Sequence, residues 1–187
     1  MKLYCATSNP GKLREFRLAA GPNFKLIPLI GILSCEEAAS TFEENAKEKA
    51  VYYSRYAPGL LFAEDSGLEV DALGGAPGVR SARFAGETTT DDDNNRLLLE
   101  KLRGLSDRSA RYVCAIAVAQ VGEILATFRG EVEGQIIDEP RGTNGFGYDP
   151  YFLYEPLGHT FAELYAEEKL KVSHRGRALA RMFTWFS

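Results

Sequence analysis

The sequence predicts an α/β protein in which a mixed β-sheet is flanked by helices. Two observations favour this fold class. Apolar runs with strand character alternate with amphipathic helical segments through the first hundred residues, and two long apolar runs around Gly122 have the pattern of a β-hairpin. Because α/β segments are combined with a hairpin, we expect a mixed sheet with helices packed against it.

The first strand and helix are marked by their junction. Residues 3–7 predict a short buried strand, and Ser8 and Asn9 followed by Pro10 predict a helix start, because Pro is favoured in the first helical turn. Residues 24–29 alternate like a second strand. The apolar stripe of the helix comprises Leu13, Phe16 and Leu18.

A second helix and two further strands follow. Thr41 and Glu44 have the spacing of a capping box, which predicts a helix that ends near residue 57. Residues 60–63 and 68–73 predict two separate buried strands, with an acidic pair at the end of the first.

The second half of the chain predicts two helices around a hairpin. Residues 91–102 form a helix whose acidic start suits the helix dipole. Residues 111–121 and 124–132 form the hairpin, residues 151–154 a late strand, and residues 175–186 a final helix.

Composition excludes several classes of function. The 187 residues carry a net charge of -4, so nucleic acid and membrane are not expected partners. An anionic ligand must therefore be held by local Lys, Arg and backbone N–H groups. The longest apolar run, residues 112–119, is too short to cross a bilayer. Three cysteines without a CxxC pair favour a reducing cytoplasm.

The junction of the first strand and helix predicts an anion site. Free N–H groups at a helix start favour anions, and Lys12 adds a positive charge to the same turn. The spacing of a Walker A motif is absent. The alternative is an ordinary capped helix with a surface lysine. The candidate phosphate-binding residues are Thr7, Ser8, Asn9, Pro10, Gly11 and Lys12.

The acidic pair Glu64 and Asp65 predicts a metal and water site. Two adjacent carboxylates at a strand end can hold Mg²⁺ and orient a water molecule, while Ser66 and Gly67 let the backbone approach a ligand. The alternative is a solvated turn, since turns favour Asp, Ser and Gly.

The second helix and the residues before it predict additional ligands. Asn45 and Lys49 lie one turn apart on one helix face, so Lys49 can supply another phosphate-binding cation. Glu36 and Glu37 precede the helix and can supply a metal ligand. The alternative for Lys49 is a solvated helix lysine that pairs with Asn45.

Two late segments predict a base pocket. Aromatic rings between glycines can stack on a base, and Asp149 can accept hydrogen bonds from ring nitrogens or order an arginine. Lys169 and the segment 173–176 are expected to begin the last helix and to concentrate hydrogen-bond donors there. The alternatives are a β-turn with packed aromatic rings and a structural histidine. The residues concerned are Phe146, Gly147, Tyr148, Asp149, Lys169, His174 and Arg175.

These segments, in this order, resemble the inosine triphosphate pyrophosphatase family. The matching stretches are ATSNPGKLREF, TFEENAKEKA, FAEDSGLEVDALGGAPGVRSARFAG, GTNGFGYDPYF and AEEKLKVSHRGRAL. They cover almost the whole chain, from Ala6 to Leu179. The resemblance implies one nucleoside triphosphate pyrophosphatase domain over residues 1–187, with an elongated mixed sheet, two lobes, a central cleft and a homodimeric assembly. Many bacterial members carry two aspartates where this chain has Glu64 and Asp65.

The resemblance also implies the reaction and the role of each residue. Non-canonical purine nucleoside triphosphates (ITP, dITP and XTP) are hydrolysed with Mg²⁺ to the monophosphate and pyrophosphate, which cleanses the nucleotide pool. Asp65 is the expected general base and a metal ligand, and Glu36 is the second ligand, with Glu37 as the alternative. The other roles divide into triphosphate binding by residues 7–12, substrate contacts by Lys49, Ser66 and Lys169, and a base pocket formed by residues 146–149, His174 and Arg175.

Two other functions are consistent with parts of the sequence. A nucleotide-binding sensor would keep the fold but lack catalysis, and the intact Asp65 and lysine set argue against it. A module that contacts modified bases within a strand would need a basic stripe, which the sequence lacks.

Overall fold

The centre of the molecule is a mixed β-sheet. The computed structural model describes residues 1–29, 31, 35 and 38–187, and within these ranges the sheet has seven strands in the order β2-β1-β3-β4-β5-β6-β7. The strands are β1 (Lys2–Ala6), β2 (Lys25–Pro28), β3 (Leu61–Val70), β4 (Ser109–Gln120), β5 (Glu123–Ile136), β6 (Phe152–Tyr154) and β7 (His159–Thr160). The helices are α1 (Pro10–Ala20), α2 (Phe42–Ser54), α3 (Asp91–Leu102), α4 (Ala166–Val172) and α5 (His174–Trp185). The predicted fold class is confirmed.

The strand pairing leaves part of β3 next to an opening. β1 is parallel to β2 and β3, whereas the pairs from β3 through β7 are antiparallel. The predicted hairpin is the long pair β4–β5. β1 pairs with β3 only as far as Ala63, because the chain then turns into α1. Residues of β3 beyond Ala63 therefore border a cleft on that side.

The prediction of two strands at residues 60–63 and 68–73 is wrong. One strand, β3, runs from Leu61 to Val70, because β4 supplies a pairing partner for every residue along it. The acidic pair therefore lies in the middle of a strand and not at its end. Charged partners from the helices, described below, replace the solvent that the sequence interpretation assumed.

The end of the chain also differs from the prediction in one respect. Lys169 belongs to a separate short helix, α4, and not to the start of the last helix. Ser173 separates the two helices, since its hydroxyl accepts a hydrogen bond from the Gly176 N–H at 3.2 Å and caps α5. Gly176 permits the close contact, because a Cβ there would lie 1.7 Å from the Leu170 carbonyl oxygen.

Apolar clusters on both faces of the sheet frame the cleft. Side chains of a strand alternate between faces, so Leu61 and Ala63 pack on α2 whereas Phe62 packs on α1 and α5. Leu68 faces the same way as Phe62 but joins a different cluster, which includes α3. Between Phe62 and Leu68, this face carries the polar residues 64 and 66, so the apolar face is interrupted at the floor of the cleft. Over the described ranges, no helix is long and apolar enough to cross a membrane.

Candidate active site

The start of α1 is built as the sequence predicts. Asn9 caps the helix, and its side-chain oxygen accepts a hydrogen bond from the Lys12 N–H at 3.0 Å. The Thr7 hydroxyl accepts a hydrogen bond from the Asn9 N–H at 3.2 Å. Pro10 occupies the first helical position. The Lys12 side chain is 19% exposed and reaches β3, so a cation lies at the mouth of the cleft.

Glu64 and Asp65 point to opposite faces of the sheet. Their contacts follow from the alternation along β3: Glu64 meets Lys12, whereas Asp65 meets Lys49. Both carboxylates are buried, at 4% and 5% exposure. The expectation that they act side by side at a strand end is therefore corrected.

Asp65 is held by α2 through both of its oxygens. Lys49 Nζ donates to Oδ1 at 2.9 Å, and Asn45 Nδ2 donates to Oδ2 at 3.2 Å. Asn45 also accepts a hydrogen bond from the Ala39 N–H at 3.1 Å, which ties the start of α2 to the carboxylate. Burial raises the pKa of Asp65, and the Lys49 ammonium offsets part of the shift. A raised pKa suits a group that accepts a proton near neutral pH.

Glu64 binds two cations on the other face. Lys12 Nζ lies 2.7 Å from its Oε2, and Arg175 donates from Nε to its Oε1 at 3.0 Å. Burial alone would raise the pKa of Glu64, but the charges of Lys12 and Arg175 outweigh it and hold the pKa well below its usual range. Glu64 is therefore a permanent anion.

Arg175 connects β3 to α1. Its Nη1 donates to Glu15, and its Nη2 donates to the Ser66 hydroxyl at 2.8 Å. All three guanidinium nitrogens thus have protein partners.

Lys169 extends the series of ion pairs towards residues 145–150, which are called the aromatic loop below. Its Nζ donates to Glu15 Oε1 at 2.9 Å and to Asp149 Oδ2 at 2.6 Å. Burial lowers the pKa of Lys169, but the charges of Asp149 and Glu15 outweigh it and raise the pKa overall. Lys169 Nζ also lies 4.9 Å from the centre of the Phe146 ring, which brings a cation over an aromatic face.

The aromatic loop is anchored through both backbone groups of one residue, Gly147. The Gly147 N–H donates to Asp91 at 2.7 Å, and its carbonyl accepts from Asn95 at 3.0 Å. The residue has a φ of +65°, a backbone conformation that favours glycine. Tyr148 donates from its hydroxyl to the Ser81 carbonyl at 2.7 Å. The start of α3 and the segment around Ser81 therefore position the loop.

His174 is buried in the pocket wall. Its ring stacks on Tyr112 with centres 4.6 Å apart. Burial first, and then the charges of Arg175 and Lys169, lower the pKa of His174 well below its usual value. The ring is therefore neutral, and its Nδ1 has no hydrogen-bond partner among the described residues.

Two adjoining cavities collect most of the predicted residues. The first cavity, called the phosphate-end cavity after its predicted role, is lined by Thr7, Ser8, Asn9, Lys12, Lys49, Asp65 and Ser66. The second cavity, called the base pocket after its predicted role, is lined by Asn9, Lys12, Ser66, Phe146, Gly147, Tyr148, Asp149, Lys169, His174 and Arg175. Asn9, Lys12 and Ser66 line both, so the two cavities form one cleft.

A few predicted positions lie elsewhere. Pro10 and Gly11 line a third cavity together with Arg14, and this cavity shares Asn9 and Lys169 with the base pocket. Gly67 does line the base pocket, and it also lies close to neighbouring backbone, because a Cβ there would lie 2.6 Å from the Gly78 carbonyl oxygen. The proposed metal ligand Glu36, like its alternative Glu37, lies outside the described residues.

Sequence reasoning missed several residues of the site. Glu15 is the most central, and its position three residues after Lys12 on one helix face was the available signal. Its partners lie 154 and 160 residues later in the chain, which the local pattern does not reveal. Tyr112, Asp91 and Asn94 line the base pocket without any motif that would mark them.

Comparisons with known proteins find relatives over nearly the whole chain. Residues 3–185 match the family model described as the Ham1 family. A protein named dITP/XTP pyrophosphatase from Acidobacterium capsulatum is 50% identical to this chain, over 96% of this chain and 95% of its own length. The same name is carried by a protein from an Exiguobacterium species that is 49% identical over 97% of this chain and 95% of its own length. The solved structure of the Staphylococcus aureus Ham1 protein is 39% identical, covers 100% of this chain and 98% of that one, and has a TM-score of 0.89.

Proposed function

The chain belongs to the Ham1 family, and from that premise we propose that it hydrolyses ITP, dITP and XTP to the nucleoside monophosphate and pyrophosphate. Relatives over nearly the full length carry the name dITP/XTP pyrophosphatase, in agreement with the resemblance in the sequence. The observation that carries the proposal is that one cavity is lined by Asp65, Lys12 and Lys49. A buried base beside two cations is the arrangement that phosphoryl transfer from a polyanion requires.

Mg²⁺ is part of the proposal, and the donors present fit it. Asp65 and Glu64 both line the phosphate-end cavity. No group of three or more His, Cys, Asp or Glu side chains is arranged around one point in the described part of the chain. Mg²⁺ is commonly held by one or two carboxylates together with substrate phosphates, so a small set of ligands suffices. Asp65 would hold it, with Glu36 as the proposed second ligand. When bound, Mg²⁺ supplies charge neutralisation and acidifies coordinated water.

The residues of the cleft account for attack of water on the α-phosphorus. Asp65 accepts the proton of the attacking water, and its raised pKa favours that role. Lys12 and Lys49 stabilise the charge that develops on the phosphate oxygens as pyrophosphate leaves. Asn45 keeps the Asp65 carboxylate in one orientation, since it is itself fixed to Ala39.

The base pocket supports selection of 6-oxo purines. Neutral His174 in its Nδ1–H tautomer offers a donor with no competing protein partner among the described residues. A 6-oxo group satisfies that donor, whereas the amino group of adenine leaves it unpaired. An unpaired buried polar group costs about 1–3 kcal/mol, which corresponds to a preference of roughly ten- to a hundredfold over ATP. Arg175 adds to the selection if a base displaces one of its present acceptors.

The proposal is tested by product analysis. The protein is incubated with ITP, dITP, XTP, GTP or ATP plus Mg²⁺, and pyrophosphate and orthophosphate are assayed separately. We expect pyrophosphate from ITP, dITP and XTP, and little from ATP. Release of orthophosphate would contradict the assignment. Binding without turnover of any nucleotide would favour the sensor.

Assembly and location are also proposals. We expect a homodimer, as the resemblance implies, and light scattering after size-exclusion chromatography measures the mass directly. We expect the protein in the cytoplasm, where its nucleotide substrates form. The buried thiols of Cys5 and Cys114 agree with a reducing compartment.

A further inference from the structure

A continuous chain of ion pairs joins the phosphate end of the cleft to its base end. The nitrogen–oxygen distances between neighbouring members run from 2.5 to 3.0 Å. Every member except the partly exposed first lysine is more than nine-tenths buried. In order, the chain comprises Lys12, Glu64, Arg175, Glu15, Lys169 and Asp149.

The charges alternate along this chain. Three cations and three carboxylates follow one another, so each internal member is shared between two opposite charges. In a buried environment such contacts are strong, and tightening one of them weakens the next. Both ends of this chain of ion pairs line the cleft, so a ligand in the cleft can contact either end.

Building on the proposed function, we propose that this chain of ion pairs couples triphosphate binding at Lys12 to base selection at Asp149. A phosphate that engages Lys12 draws the ammonium away from Glu64. Glu64 then binds Arg175 more strongly. Arg175 in turn binds Glu15 less strongly, so the Glu15 carboxylate is more available to Lys169.

The last contact of the chain explains the gain in selectivity. Lys169 shifts towards Glu15 and weakens its contact with Asp149 Oδ2. Among the described residues, that oxygen then keeps only the Phe146 N–H as a donor and can accept a hydrogen bond from the base. Hypoxanthine and xanthine present a ring N–H donor at position 1, whereas adenine presents an acceptor there. A freed carboxylate therefore accepts from the 6-oxo purine and repels adenine. Triphosphate and 6-oxo base favour each other's binding, which is a reciprocal coupling between two sites.

Glu64 is the positioning residue that makes this link. Its two oxygens divide between Lys12 and Arg175, and it lies on the face of the sheet opposite Asp65. Glu64→Gln keeps the shape and an acceptor for Arg175 but removes the charge. Glu64→Asp keeps the charge and serves as the conservative variant.

The first experiment needs no nucleotide and is independent of activity. Unfolding by urea is measured for Lys12→Met, Asp149→Asn and the double variant. We expect the effects on the unfolding constant to depart from additivity by about threefold or more. The same departure should vanish in the Glu64→Gln background. Additive effects, or a departure that survives Glu64→Gln, would overturn the coupling.

A matched control separates this coupling from general electrostatics. Lys49 lies on the other face of the sheet, beside Asp65, and is not a member of the chain. Lys49→Met combined with Asp149→Asn should therefore be additive within about twofold. Equal coupling in both pairs would overturn the proposed route. If Glu64→Gln does not fold, Glu15→Gln interrupts the same chain and gives the same test.

The second experiment measures selectivity directly. Dissociation constants are compared for IMP against AMP, and for the α,β-methylene analogues of ITP against ATP. We expect the inosine preference of the triphosphate pair to exceed that of the monophosphate pair by about fivefold or more. Glu64→Gln should make the two preferences equal, and Glu64→Asp should restore the difference. Equal preferences in the unmodified protein would overturn the coupling even if hydrolysis is confirmed.

Discussion

Glu64 and Asp65 are neighbours on β3, yet they occupy two different electrostatic environments. Both are almost fully buried. Glu64 contacts two cations, and its pKa falls well below the usual range, whereas Asp65 contacts one cation and a neutral amide, and its pKa rises. Their exposure is nearly equal, but Glu64 has two direct ion pairs where Asp65 has one, so the cations outweigh burial at Glu64 and not at Asp65. Adjacent carboxylates can therefore divide between a fixed charge and a proton acceptor.

The helices that cover each face account for this division. The Glu64 face carries α1 and α5, which bring Lys12 and Arg175. The Asp65 face carries α2, which brings Lys49 and Asn45. On the first face, the negative charge of Glu64 is balanced by cations. On the second face, Asp65 is a carboxylate that can change its protonation state.

The largest expected effect is on stability, from removal of the central cation on the Glu64 face. Arg175→Met leaves Glu15 and Glu64 buried with fewer counter-charges and should reduce the free energy of unfolding by about 3–5 kcal/mol. Arg111→Met is the control, because Arg111 contacts three carboxylates, against two for Arg175, but lies at the surface, where the loss should be about 0–1 kcal/mol. Urea titration measures both, and equal losses would contradict the distinction.

The next effect is on catalysis, on the Asp65 face. Asp65→Asn should lower kcat by roughly a hundredfold or more, because it removes a proton acceptor and a metal charge. The variant should remain folded, as the amide retains the shape of the side chain. Glu69→Gln changes a carboxylate at the surface end of the same strand and should retain turnover. Near-normal kcat in Asp65→Asn would remove Asp65 from the mechanism.

Lys12→Ala tests whether the mouth of the cleft faces phosphates. Loss of a charge-assisted contact should weaken binding of a non-hydrolysable triphosphate by about tenfold or more. Binding of IMP should change less, since the base lies deeper in the cleft. Calorimetry with both ligands gives the comparison, and equal losses would contradict the placement of Lys12.

The smallest effect concerns pH and His174. The folded-state pKa is depressed, so the unfolded chain binds a proton that the folded protein does not, and stability falls as pH drops through about 6.5. His174 should account for about 1 kcal/mol of the loss between pH 6.5 and 5.5. His174→Gln should lose this part of the pH dependence, whereas His159→Gln at the exposed histidine should retain it. An unchanged slope in His174→Gln would indicate that folding does not shift the pKa of His174 and would contradict this prediction.

Local patterns predicted most of the elements and many of the site residues. Asn9, Pro10 and Lys12 could be placed because a helix start has local rules of capping and dipole. The division of β3 into two strands was wrong, because two charged residues in an apolar run imitate a turn when their partners are not known. The helix α4 was missed because seven residues carry too little periodicity to separate it from α5.

The sequence by itself determined the fold class, the order of its elements and the residue types available for chemistry. It also determined that Glu64 and Asp65 must face opposite ways once they share a strand, because side chains alternate with a period of two. Only the tertiary structure decided which face received which cations. Lys169 and Arg175 meet Glu15 across 154 and 160 residues of chain. An ion pair depends on distance and burial in space, and neither is a property of the local sequence.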